Sequence, residues 1–176
     1  MYIGLVQNQM TILKKNIKIL LTVFILLGLS FNFNPSNAAS GSSGSDGSDK
    51  TSLYKSGKKL VIRAKKLEKK DKIEKAKKLY LKAYDKFEKA YAKDKKNADI
   101  LNYLGYTLRK TGSLEKAEKF YLEGLELDAG HLGINEYLGE LYVQTGRIEL
   151  AMERLQVLSG CNCEEYNELK ELIEKN

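Results

Sequence analysis

Proline is nearly missing from this chain: Pro35 is the single one in 176 residues. Tryptophan is absent, histidine occurs once as His131, and cysteine twice, as Cys161 and Cys163. Each scarcity narrows the field. With so little proline, and with Leu, Lys, Glu, Ala and Tyr abundant, the chain reads as helices rather than many short strands. One His and two Cys cannot build the usual His/Cys-rich zinc sites, and they leave little for a histidine-based triad. No residue constellation announces an enzyme, and none calls for a cofactor.

What is present begins with a leader. Lys14, Lys15 and Lys18 precede an apolar run from Ile19 to Phe31, followed by Pro35-Ser36-Asn37-Ala38-Ala39. A basic start, a short apolar core and small residues at the end describe a secretory signal peptide over residues 1–38. The expected cut follows Ala38 or Ala39, and Met10 offers a second start. The competing reading is an uncleaved anchor, but Ile19–Phe31 would span about 20 Å, short of the roughly 30 Å hydrocarbon core. Contact with the membrane is therefore expected only through the leader before cleavage, and the product is expected in the periplasm or outside the cell. Residues 39–52, SGSSGSD-like in composition, read as a flexible Gly/Ser/Asp linker.

Charge is segregated along the chain. Residues 39–100 hold 19 basic and 9 acidic side chains, and residues 101–176 hold 8 and 14, in a chain of formal net charge +7. A lysine-rich first half could meet nucleic acid, anionic lipid or acidic polysaccharide. Against nucleic acid stand export, interspersed acids at i,i+4 spacing, and the scarcity of arginine, Arg63 being alone in that half. A solvated helix surface is the expected reading, with attachment to anionic envelope material through the Lys-rich helices as the alternative.

The decisive pattern is a repeat. Leu104, Gly105, Leu108, Gly112, Ala117 and Tyr121 recur as Leu138, Gly139, Tyr142, Gly146, Ala151 and Leu155, each displaced by 34 residues. Gly105 and Gly139 fall inside helices, where Gly costs about 1 kcal/mol relative to Ala; a closely approaching neighbour would explain them. Gly112 and Gly146 are expected to end their helices, being able to adopt the left-handed conformation. Ser113 is placed to cap the next helix, although Lys116 stands where a capping-box Glu would be. Upstream, Ala76, Tyr80, Ala83, Phe87 and Ala90 make one helical stripe, predicting a helix over about 72–93 lengthened by two turns. The preceding helix, about 53–69, carries Leu60, Val61, Ala64 and Leu67 on one face. At the far end Tyr166, Leu169, Leu172 and Ile173 line one side of a closing helix, as a solenoid cap requires.

A 34-residue helix–turn–helix with Leu104-Gly105-x2-Leu108 or Leu138-Gly139-x2-Tyr142, then Ala117-x3-Tyr121, resembles the tetratricopeptide repeat. Leu101 takes the usual Trp slot and Ala129 the closing Pro. The resemblance implies an all-α, right-handed α-solenoid of about three hairpins (residues 53–97, 98–131 and 132–160), then a Cys turn and capping helix (161–176). It also implies a concave groove that binds another envelope protein or a peptide segment. Groove candidates are Asn102, Tyr106, Arg109, Lys110, Glu136, Glu140 and Gln144, basic at Arg109 and Lys110 and acidic at Glu136 and Glu140. Tyr103 and Tyr137 stand where the family's carboxylate-gripping groove wants Asn, so capture of a terminal carboxylate is not expected.

Three readings of Cys161 and Cys163 stand open: a structural disulfide, free or intermolecular thiols, and a soft-metal or redox pair. Export favours the disulfide, and the segment resembles the Cys…Cys-Glu-Glu-Tyr run that precedes the last helix of some exported bacterial tetratricopeptide proteins. Two thiolates without a second soft ligand make a poor metal site. An extended Cys-x-Cys would hold its Cα atoms beyond the usual 4.4–6.8 Å. His131 reads as a turn residue between repeats.

Overall fold

The structure is a computed structural model that describes residues 46–176; the leader and residues 39–45 lie outside the described residues. Seven helices fill the described part: α1 (Asp46–Glu68), α2 (Ile73–Lys93), α3 (Ala98–Thr111), α4 (Leu114–Leu127), α5 (Leu132–Gln144), α6 (Ile148–Leu158) and α7 (Glu164–Glu174). None of the described helices is long and apolar enough to cross a membrane. α1 begins at Asp46, inside the stretch read from composition as a flexible linker. Ion pairs explain the added turns: Lys50 Nζ is 2.9 Å from Asp94 and Lys93 Nζ 2.7 Å from Asp49, tying the start of α1 to the end of α2.

The three hairpin turns share one geometry. The amides of Lys72, Ser113 and Arg147 donate to the carbonyls of Leu67, Leu108 and Tyr142 at 2.9, 2.9 and 2.8 Å. Each closure needs one left-handed residue. Gly112 (φ 91°) and Gly146 (φ 73°) fill that role in two turns, and Asp71 (φ 55°) fills it in the first. Ser113 does not cap α4 as expected: its backbone (φ −89°, ψ 64°) lies outside the extended region from which a side-chain oxygen reaches the first turn. Side-chain caps occur instead where repeats join. Asn97 Oδ1 accepts from the Ile100 amide at 3.1 Å, and His131 Nδ1 accepts from the Ile134 amide at 3.2 Å.

Packing follows chain order. α1 pairs with α2, α3 with α4 and α5 with α6; α2 abuts α3, α4 abuts α5, and α7 closes the end against both α5 and α6. The fold is an all-α solenoid of three hairpins and a cap. The mid-helix glycines are explained by contact, because a Cβ at Gly105 would stand 2.4 Å from the Tyr121 ring and one at Gly139 2.5 Å from Leu169. A third such site is Gly57, where a Cβ would meet the Phe87 ring at 2.6 Å. In α2 the stripe Ala76, Tyr80, Ala83, Phe87 and Ala90 is buried throughout. On α1 Val61 and Ala64 are buried while Leu60 and Leu67 are half-buried, and on α7 Leu169 is fully buried.

Before α7 the structure joins Cys161 to Cys163, with a Cα separation of 5.2 Å. The separation is shorter than an extended turn would give. Asn162 takes φ 47°, which folds the chain back and brings the two Cα atoms into bonding range.

Candidate functional site

The site grows from the first helix of each hairpin together with the cap. Lys58 and Lys65 stand seven residues apart on α1, two turns along one face. Lys58 Nζ lies 5.5 and 5.6 Å from the ring centroids of Tyr54 and Tyr103, and Lys65 Nζ lies 5.2 and 5.8 Å from those of Tyr106 and Tyr137. The rings also hold one another. Tyr54 meets Tyr103 edge-on at 5.7 Å, Phe87 stacks on Tyr103 at 4.9 Å, and Tyr106 lies 4.8 Å from Tyr137. Such pairs add stability beyond area burial and prefer these offset or edge-on geometries.

Over this aromatic floor opens a cleft of about 430 Å³ that draws on α1 (Tyr54, Lys58), α3 (Asn102, Tyr103), α5 (Glu136, Tyr137) and α7 (Glu165). A smaller recess of about 140 Å³ adjoins it, walled by Lys65, Glu136, Tyr137, Glu164, Glu165 and Glu168. Helices from both ends of the chain therefore face one space.

Its electrostatics differ from the expectation. Arg109 pairs with Glu140, and its guanidinium carbon lies 5.7 and 5.8 Å from the Tyr106 and Tyr137 ring centroids. Lys110 Nζ is 2.8 Å from Glu68 Oε1, and Glu68 also accepts from the Tyr80 hydroxyl at 2.8 Å. The predicted basic end of the groove is thus engaged within the fold, and the lysines over the cleft come from α1. Tyr106 is buried between Lys65, Arg109 and Tyr137. Gln144 is exposed as the last residue of α5, while Asn102 and Glu136 line the cleft and are both buried.

Glu136 is the most perturbed acid here. Burial comes first among the causes that push its carboxyl up to about 9, followed by a hydrogen bond with Glu168 and the nearby charges of Glu140, Glu168 and Glu165. One carboxylate oxygen from each of Glu136, Glu140 and Glu168 lies within 4.8 Å of the others. Asn102, which lines the same cleft as Glu136, leaves its buried Oδ1 without a hydrogen-bond partner.

Lys58, Lys65, Glu165 and Glu168 were missed from sequence. A signal existed for the lysines: Tyr54, Lys58 and Lys65 follow the 4 and 7 spacing of one helical face. It was hidden in a helix whose lysines look uniformly solvated. The α7 acids carry no such signal, because only packing turns them toward α5. His131 binds the start of α5 through Nδ1, and its Nε2 sits 3.5 Å from Asp99.

Residues 86–119, running from late α2 through α3 into α4, match the tetratricopeptide repeat family model. No curated protein matches the sequence. Among solved structures, the TPR domain of Arabidopsis OM64 superposes with a TM-score of 0.50 at 11% identity, over 70% of this chain and 98% of that one. The first TPR of Spaghetti (RPAP3), bound to an HSP90 peptide, gives 0.49 at 19% identity, over 68% and 91%. The translocator chaperone SycD of Yersinia enterocolitica type III secretion gives 0.45 at 20% identity, over 69% and 88%. The chain thus carries a tetratricopeptide repeat at residues 86–119, within an all-α fold that superposes on a tetratricopeptide domain.

Proposed function

We propose that this chain is a non-catalytic binding module of the cell envelope, which holds a segment of another protein in the cleft between α1, α3, α5 and α7 after its leader is removed. The observation that carries this reading is the cleft itself: an aromatic floor under two lysines, open along one side and built from helices of every hairpin. Concave sites of this size with few convergent polar groups are the usual places for ligands, and solenoids present them by stacking repeats. The test is affinity capture from envelope extract with residues 39–176, at low salt and at about 0.3 M, where the Debye length falls below 8 Å. A discrete protein retained at both salts, and lost with Lys58→Glu plus Lys65→Glu, is the expected result. Retention untouched by those changes would remove the cleft from the function.

A second reading has its own observation. Lysines cover the outside of the α1–α2 hairpin, where Lys55, Lys59, Lys66, Lys75, Lys78 and Lys82 are all exposed. Attachment of that surface to anionic lipid or polysaccharide would be lost at the higher salt. Export itself is checked on the chain taken from its own cells: an N-terminus at Ala39 or Ser40 and no titratable thiol are expected. Two free thiols there would remove the Cys161–Cys163 staple from the proposal.

A further inference from the structure

The cleft is acidic in a basic protein. Its walls carry Asp99, Asp128, Glu136 and Glu165, the adjoining recess adds Glu164 and Glu168, and against these six acids stand Lys58, Lys65 and His131. Arg109 and Glu140 neutralise each other behind it. Acids outnumber lysines in the two linings, and a low-dielectric concavity with an excess of one sign of charge concentrates ligands of the other sign. An independent feature points the same way. Asn102 lines the same cleft, is only 6% exposed, and leaves Oδ1 without a partner. A buried acceptor left unmade is costly, and it calls for a hydrogen-bond donor.

We propose that the segment held in the cleft presents a lysine or arginine side chain to the corner formed by Glu136, Glu165 and Glu168, with a donor of the same segment reaching Asn102. This rests on the binding-module reading and names the chemistry of its partner. The corner also sets how the cation enters. Carboxylate oxygens of Glu136, Glu140 and Glu168 crowd within 4.8 Å of one another, and this crowding, added to burial, favours a proton on Glu136. The groups facing Glu136 are Glu140 on its own helix, Glu164, Glu165 and Glu168 on α7, Lys65 from α1, and Tyr137 in the recess. An arriving ammonium or guanidinium replaces that proton, which leaves to the buffer, and the cation then neutralises the freed carboxylate. Binding is therefore tighter as pH rises toward 9.

The experiment selects random displayed peptides on the chain as purified from cells, then measures binders by calorimetry in two buffers of different ionisation heat. Selected peptides should share a Lys or Arg whose replacement by norleucine weakens binding about tenfold or more, as a good charge-assisted contact does. The same replacement should change little on the Glu165→Gln plus Glu168→Gln variant. Wild-type protein should release about one proton per peptide at neutral pH, and Glu136→Gln none. Peptides that lose binding with Lys58→Glu or Lys65→Glu but share no basic residue overturn this inference and leave the binding module standing. A basic residue indifferent to the glutamate changes also overturns it. If no selected peptide depends on the cleft, both readings fall.

Discussion

The α1–α2 hairpin and the α3–α4 hairpin solve one packing problem at two lengths. In both, a glycine on the first helix receives an aromatic ring from the second: Gly57 receives Phe87 and Gly105 receives Tyr121. The rings are 34 residues apart, but the glycines are 48 apart. The surplus of 14 divides into seven residues before the turn and seven after it, about two helical turns on each arm. Seven residues nearly restore the helical phase, so the apolar stripes still meet and the turn keeps its geometry. The sequence pattern had revealed the added turns in α2 and missed their counterpart in α1. The longer arm has a consequence for the site, because it carries Lys65 past α3 to lie over Tyr137 of α5.

The comparison breaks first at its rings. Phe87→Ala and Tyr121→Ala each remove a fully buried aromatic and should cost about 3–5 kcal/mol. Solenoid stability is a sum of neighbouring terms. Hydrogen exchange should therefore show Phe87→Ala loosening α1–α2 while α5 and α6 stay protected; equal loss of protection everywhere would make the two hairpins one cooperative unit. A smaller loss is expected from the glycine side. Gly57→Ala and Gly105→Ala overpack by about 1–3 kcal/mol, of which helix propensity returns about 1, and chemical denaturation should find both less stable. If either gains stability, its ring moves aside more easily than the contact implies.

A third effect belongs to the acidic side. Because the folded carboxyl of Glu136 is raised from 4.5 to about 9, its contribution is fully present below 4.5 and drains as pH climbs to about 9. The slope is at most about 1.4 kcal/mol per pH unit. Thermal melts of wild type should fall across that window, and those of Glu136→Gln should fall less. The smallest effect tests the turns. Asp71→Gly relieves a left-handed non-glycine residue and should gain about 1 kcal/mol, whereas Gly112→Ala should lose about as much, with open space around its Cβ. Opposite signs by denaturation would establish that the first two turns share one backbone requirement; equal signs would separate them.

Helices, the repeat, the hairpin order and the cap were legible in the residues, because each rests on near neighbours in the chain. A 3.6-residue period decides which face is buried, and a glycine or an Asx residue decides where a turn closes. Leu104-Gly105 and Leu138-Gly139 announced close approach before any neighbour was known, and Tyr121 and Leu169 supplied it. Charge pairing was not legible. Arg109 and Lys110 look free along the chain, yet they meet Glu140 and Glu68 across helices, and Glu136 meets Glu168 only because α7 folds back on α5. Electrostatic partners are chosen by distances between residues far apart in sequence, and those distances are set by the superhelix. The sequence alone determined an all-α repeat; the tertiary structure alone decided which charges stay open in its cleft, since only packing brings α1 and α7 to the same space.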